Sequence, residues 1–215
     1  MVDKKELELS LENTPEIREP REELEQYTTP PSIAASLLWE ALMRNDIVGK
    51  TVLDLGCGSL RLGIGALLLG AKRVIGVDID YKVLLEARNW LRENNLYHRT
   101  LLITGDAGYI ELKNVDTTIM NPPFGVKPCR RGADTLFLRK ALSISRSVYS
   151  IHKDSPGFRS LLKNIAEAFN SRISYISRAR YPIKMMLPHH RRRVYRIDVL
   201  LVAIRKGGYH GDAEE

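Results

Sequence analysis

The sequence predicts an α/β fold, a mostly parallel sheet ending in a C-terminal antiparallel hairpin, and three observations predict it. Apolar runs of strand length alternate with runs of helix length from about residue 31 to Phe169. Several of the strand-like runs end in glycine-rich or acidic turns, and Val115 to Met120 ends in Asn121-Pro122-Pro123-Phe124. Open α/β sheets bind ligands at such C-terminal strand ends. After Phe169 the alternation stops, and two strand-like runs, Ile173 to Tyr181 and Val194 to Ile204, flank a polar segment. A chain of 215 residues with 44% hydrophobic content suits one domain of this kind.

The elements follow in order. Residues 1–26 carry charges every few positions and read as a charged N-terminal arm, and a helix begins near Pro31. Thr51 to Leu55 forms a strand that opens onto Gly56-Cys57-Gly58, followed by a helical segment from Leu60 to Leu69. Arg73 to Asp80 is a second strand, and Asp80 is positioned to cap a helix from Tyr81 to Asn94. Thr100 to Thr104 is a third strand, ending at Gly105-Asp106. Strands at Val115 to Met120 and Ser147 to Ile151, a helix from about Pro156 to Phe169 and the terminal hairpin complete the domain over residues 27–206. Gly207-Gly208 and the acidic end make residues 207–215 a flexible tail.

The strand ends carry the chemistry. Glycines let the backbone approach a ligand, as in a nucleotide-binding turn, yet Asp54 puts a carboxylate where a dinucleotide site receives phosphate. A phosphate is repelled there, whereas an ammonium or sulfonium is attracted, which favours S-adenosylmethionine over NAD or ATP. Asp78 stands at about the 20-residue interval at which an acid meets ribose hydroxyls. Asp106 is either an acceptor for the adenine amino group or a turn former. In Asn121-Pro122-Pro123-Phe124 the prolines fix the backbone, so the asparagine amide and proline carbonyls become rigid acceptors for an exocyclic amine and Phe124 a stacking surface.

Together these motifs resemble the class I, Rossmann-like S-adenosylmethionine-dependent methyltransferases that modify exocyclic amines. Leu24-Glu25-Gln26-Tyr27-Thr28-Thr29-Pro30-Pro31, the asparagine motif with Gly125-Val126-Lys127, and Val148-Tyr149-Ser150-Ile151-His152-Lys153 are similar to one branch. That branch is the methyltransferase-like family that makes N6-methyladenosine in small-subunit ribosomal RNA, and the likeness runs from about Leu24 to about Lys206. The resemblance implies cofactor contacts from Gln26, Thr29, Asp54, Gly56, Gly58, Ser59, Arg61, Asp78, Asp106 and Ala107, and catalysis at Asn121, Pro122, Pro123 and Phe124. It also implies partnership with a small zinc-binding activator, for which the apolar edge of the third strand, Leu101 to Ile103, is the expected docking place. The competing expectation is that the N-terminal arm covers that edge. One departure from the family pattern is Leu60, which stands where a third glycine is expected and there crowds the cofactor or demands an unusual backbone angle.

A net charge of +7 and a pI near 9.4 fit a polyanionic partner. Lys127, Arg130 and Arg131 follow the asparagine motif, and Arg191, Arg192, Arg193 and Arg196 cluster at the hairpin, so both groups are expected to grip RNA phosphates. His189 and His190 lack the companion spacing of a metal site. Two cysteines, Cys57 and Cys129, fit reduced thiols in the cytoplasm, and no apolar run is of membrane-spanning length. Two other functions share these features, a protein glutamine-N5 methyltransferase and a non-catalytic RNA-binding module whose cofactor loop Leu60 has spoiled.

Overall fold

The computed structural model describes residues 3–125, 130–184 and 194–207. Its centre is a sheet of seven strands, β1 (Thr51–Leu55), β2 (Arg73–Asp78), β3 (Thr100–Thr104), β4 (Val115–Met120), β5 (Ser145–Lys153), β6 (Ser171–Lys184) and β7 (Val194–Lys206). They lie in the order β3-β2-β1-β4-β5-β7-β6; β1 to β5 are parallel, and β7 pairs antiparallel with both β5 and β6. The order reverses direction between β1 and β4, the switch point at which such sheets open a crevice.

Two layers of helices cover the sheet. The helices α1 (Lys4–Glu12), α2 (Pro31–Met43), α3 (Arg61–Leu68) and α4 (Tyr81–Glu93) bury their apolar residues in a core on one face. The helices α5 (Ala133–Ile144) and α6 (Pro156–Ala168) do so on the other. Central β1 is buried on both faces, which explains why Val52 to Leu55 shows no in-out alternation except for the carboxylate of Asp54. Among the described residues no helix is long and apolar enough to cross a membrane.

The charged arm contains a helix. Asp3 and Glu6 form a reciprocal capping box at the start of α1, and Leu7 and Leu11, one turn apart on its inner face, are fully buried against α2 and α3. Charge density hid this two-residue apolar stripe. Because the arm is spent on α2 and α3, Leu101 on the edge strand β3 stays half exposed.

The hairpin reaches beyond its neighbours. Pairing of β7 with β5 ends at Val199 opposite Lys153, whereas pairing of β7 with β6 continues to Val194 opposite Lys184. Its outer half is therefore a two-stranded ribbon standing past the end of β5, at the end of the sheet where the asparagine motif lies.

Candidate active site

The glycine loop is shaped by its backbone angles. Gly56 and Gly58 both have positive φ, +71° and +51°, and the amides of Gly56 and Cys57 donate to the carbonyl of Val77 at 2.8 and 2.9 Å. A Cβ at Gly56 would fall 2.7 Å from the ring of Phe137, so glycine is required by both angle and space. The loop is also tied by carboxylates: Asp54 accepts from the Gly63 amide and Asp78 from the Gly58 and Asp80 amides, at 2.8, 2.8 and 2.9 Å. Burial pushes the carboxyl groups of both Asp54 and Asp78 up, and these amide bonds oppose the shift.

Leu60 answers one of its two expectations. It adopts the left-handed conformation, with φ +67°, as the residue before α3, so the unusual backbone angle is real. The crowding is not: Leu60 is fully buried, and its side chain turns into the core against Gly63 and Gly76. The cavity wall is made by Ser59, Arg61 and Leu62 on either side of it.

A strap formed by residues 21–29 closes the cavity from above. The amide of Arg21 donates to Gln26 Oε1 at 2.7 Å, and Gln26 Nε2 donates to Asp80 Oδ2 at 3.2 Å. Asp80 also caps α4 by accepting from the Lys82 amide. Glu25, in the left-handed region at φ 51°, accepts from the Gly125 amide at 2.9 Å, and Arg130 Nε donates to the Glu23 carbonyl at 2.9 Å. Arg61 is 4% exposed; its guanidinium donates to Thr14 Oγ1, the Thr29 carbonyl and the Thr14 carbonyl at 2.7, 2.8 and 3.4 Å. The strap is thus fastened to the glycine-loop helix, to the cap of α4 and to the loop after the asparagine motif.

At the end of β4, Asn121 Nδ2 donates to Thr29 Oγ1 and to the Tyr181 hydroxyl, each at 3.0 Å. Its Oδ1 is buried without a protein partner. Phe124 packs edge-to-face on Tyr181, ring centroids 5.4 Å apart. One cavity is bordered by Gln26, Thr29, Asp54, Gly56, Gly58, Ser59, Arg61, Asp78, Asp106 and Ala107 together with Asn121 to Phe124. Asp106 forms a turn by accepting from the Gly108 amide at 2.7 Å and still borders this cavity.

The expected phosphate-gripping residues divide. Arg131 and Arg196 are exposed, and Arg130 is bound to the strap. Lys127 and Arg191, Arg192 and Arg193 lie outside the described residues, as do Cys129, His189 and His190. Two residues of the site carried no local signal. Phe137 sits in ordinary surroundings, and Tyr181 is one aromatic in a strand, 60 positions from the asparagine it touches.

The donor set fits S-adenosylmethionine: Gly56 and Gly58 offer no Cβ where a ligand must approach closely, acids stand at the ends of β1 and β2, and the guanidinium of Arg61 is engaged by Thr14 and Thr29 rather than presented to a phosphate. A family profile for Ribosomal protein L11 methyltransferase (PrmA) matches residues 33–121, the cofactor half of the fold, and stops at Asn121. A candidate RNA methyltransferase from Pyrococcus horikoshii superposes with a TM-score of 0.87 at 37% identity, covering 96% of this chain and 98% of that one. The magnesium protoporphyrin IX methyltransferase of Synechocystis with bound S-adenosylmethionine shares the fold, with a TM-score of 0.61 at 19% identity over 81% of this chain and 78% of that one. The rRNA N(6)-adenosine-methyltransferase METTL5 of Danio rerio is 36% identical over 91% of this chain and 95% of its own length. With that identity over nearly the whole of both chains, the protein belongs to the family of rRNA N6-adenosine methyltransferases.

Proposed function

We propose that this protein transfers a methyl group from S-adenosylmethionine to the exocyclic N6 amino group of an adenosine in small-subunit ribosomal RNA. The observation that carries the reading is Asn121, whose amide N–H groups are both taken up by protein hydroxyls while its Oδ1 is left as a buried, unpartnered acceptor beside the glycine-loop cavity. S-adenosylmethionine would be held along the glycine turn and Asp78 and would supply a sulfonium methyl group; its transfer to N6 would break the C–S bond, release S-adenosylhomocysteine and require N6 to give up one proton. The chain's part is orientation. The N6 lone pair of adenine is delocalised into the ring, and hydrogen bonds from N6 to Asn121 Oδ1 and the Pro122 carbonyl favour a more tetrahedral nitrogen as the transfer proceeds. Phe124 offers the aromatic surface that replaces stacking once the base has left its strand.

Support for an RNA partner comes from the ribbon beyond β5. Arg180 and Arg196 are exposed and share one face, since Arg180 stands opposite Asp198 and Arg196 opposite Pro182 in the register. Both stand past the end of β5, at the end of the sheet where the cavity opens. Support for a small zinc-binding activator comes from the unpaired edge of β3 with Leu101 half exposed, and co-purification from the native host tests it.

The deciding experiment is methylation of small-subunit ribosomal RNA with labelled S-adenosylmethionine, followed by nucleoside mass spectrometry. N6-methyladenosine formed by the wild type and lost at least a hundredfold in Asn121→Ala is the expected result. Label on protein after RNase treatment, or an unaffected Asn121→Ala variant, would overturn the proposal.

A further inference from the structure

The catalytic-motif amide is held from an unexpected direction. Tyr181 lies on β6, at the far edge of the sheet, with β7 and β5 between it and β4. It reaches Asn121 because the ribbon runs past the end of β5, and it does so fully buried. We infer that Tyr181 is a positioning residue that, with Thr29, fixes the side-chain amide of Asn121 so that Oδ1 alone is presented to the substrate amine.

The argument is one of hydrogen-bond accounting. A side-chain amide has two N–H donors and one oxygen acceptor, and it can turn over by half a rotation unless its partners distinguish the two ends. Here both donors are spent, one on Thr29 Oγ1 and one on the Tyr181 hydroxyl, at 3.0 Å each. Turning the amide over would bring Oδ1 to the hydroxyls and present N–H groups to the substrate's own N–H₂, donor against donor. The two hydroxyls are held in turn. Thr29 is fixed through its carbonyl by Arg61, and the Tyr181 ring is fixed edge-to-face on Phe124. A free hydroxyl could equally donate to Oδ1, but the Thr29 hydroxyl is itself hydrogen-bonded to the Tyr181 oxygen, so its proton is taken there and Thr29 Oγ1 faces Asn121 as an acceptor, which distinguishes the two ends of the amide. One tyrosine therefore supports both side chains of the motif, the amide through its hydroxyl and the stacking ring through its edge.

The inference rests on the proposed amine chemistry, and the test separates the two. Tyr181→Phe removes only the hydroxyl, whereas Tyr181→Leu also removes the ring edge. The side-chain amide signal of Asn121, assigned by its loss in Asn121→Ala, is followed by NMR hydrogen exchange in the wild type and in Tyr181→Phe, alongside methylation kinetics and calorimetric titration with S-adenosylmethionine. Exchange of that amide at least tenfold faster in Tyr181→Phe is expected, with kcat at least tenfold lower, cofactor Kd within twofold and melting temperature unchanged. On this view Tyr181→Phe is nearly as slow as Tyr181→Leu. Amide exchange and kcat within twofold of wild type in Tyr181→Phe would overturn the inference, as would a loss of kcat matched by equal losses of cofactor affinity or thermal stability. If the wild type leaves RNA unmethylated, the proposed function falls, and the exchange measurement still decides the lock.

Discussion

Leu60 and Gly76 are fitted to each other: a Cβ on Gly76 would lie 2.5 Å from Leu60 Cδ1. The residue that departs from the glycine-loop pattern is thus accommodated by a glycine on the neighbouring strand, with Gly63 making the other wall. Leu60→Gly relieves a left-handed leucine, a gain of about 1–2 kcal/mol, but deletes a fully buried side chain, and large-to-small changes at such sites cost about 2–5 kcal/mol. We therefore expect Leu60→Gly to lower stability by about 1–3 kcal/mol in urea titration without tightening S-adenosylmethionine binding. A tighter cofactor Kd in that variant would show that Leu60 does crowd the site. Gly76→Ala is expected to destabilise as well, because the Leu60 methyl must move for it.

The strap makes cofactor affinity depend on a residue outside the glycine loop. Glu25 accepts from the Gly125 amide and so joins the strap to the segment after the asparagine motif. Hydrogen bonds to charged groups are worth roughly 1.5–3 kcal/mol. Glu25→Ala is expected to weaken S-adenosylmethionine binding by about tenfold in calorimetry, with most of the change in the dissociation rate. An unchanged Kd would mean that the strap closes without this hydrogen bond.

Acid sensitivity should be traceable to His152. It is fully buried on β5, stacks on Phe158, bonds Ser150 Oγ through Nε2, and has Nδ1 3.9 Å from Asp134. Burial lowers its pKa from the usual 6.5 to about 3. Between these values the unfolded chain holds a proton that the folded chain does not, so stability falls as pH drops through the window, by at most about 1.4 kcal/mol per unit. The raised carboxyls of Asp54, Asp78 and Asp134 act in the opposite sense, and comparison with His152→Gln removes most of their contribution. Denaturant titrations from pH 7 to pH 4.5 should show the wild type losing ground to His152→Gln on acidification. A constant difference between the two proteins would rule the assignment out.

The ribbon arginines give a salt-dependence test. Replacing Arg180 and Arg196 with glutamate should weaken binding to ribosomal RNA fragments at least tenfold at low salt. It should also reduce the slope of log affinity against log salt by roughly one unit for each phosphate that is no longer neutralised, about two in all. Cofactor binding should be unchanged, since neither residue borders the cavity. An unaltered slope would move the RNA path elsewhere.

The sequence by itself determined the parallel strands, the helices α3, α4 and α6, the terminal hairpin and the four strand ends that meet at the cavity. These features are local: an apolar run, a glycine turn, an acid at a strand end and a proline pair act within a few residues and leave a readable pattern. The helix in the N-terminal arm was hidden because only Leu7 and Leu11 mark its buried face among many charges. Tertiary structure alone decided where Leu60 points, because that depends on the space above Gly76 on another strand. It alone joined Glu25 to Gly125, and Tyr181 to Asn121 across two intervening strands. Such pairings depend on sheet order and on how far a ribbon outruns its neighbour, and neither quantity is recorded in the residues that finally touch.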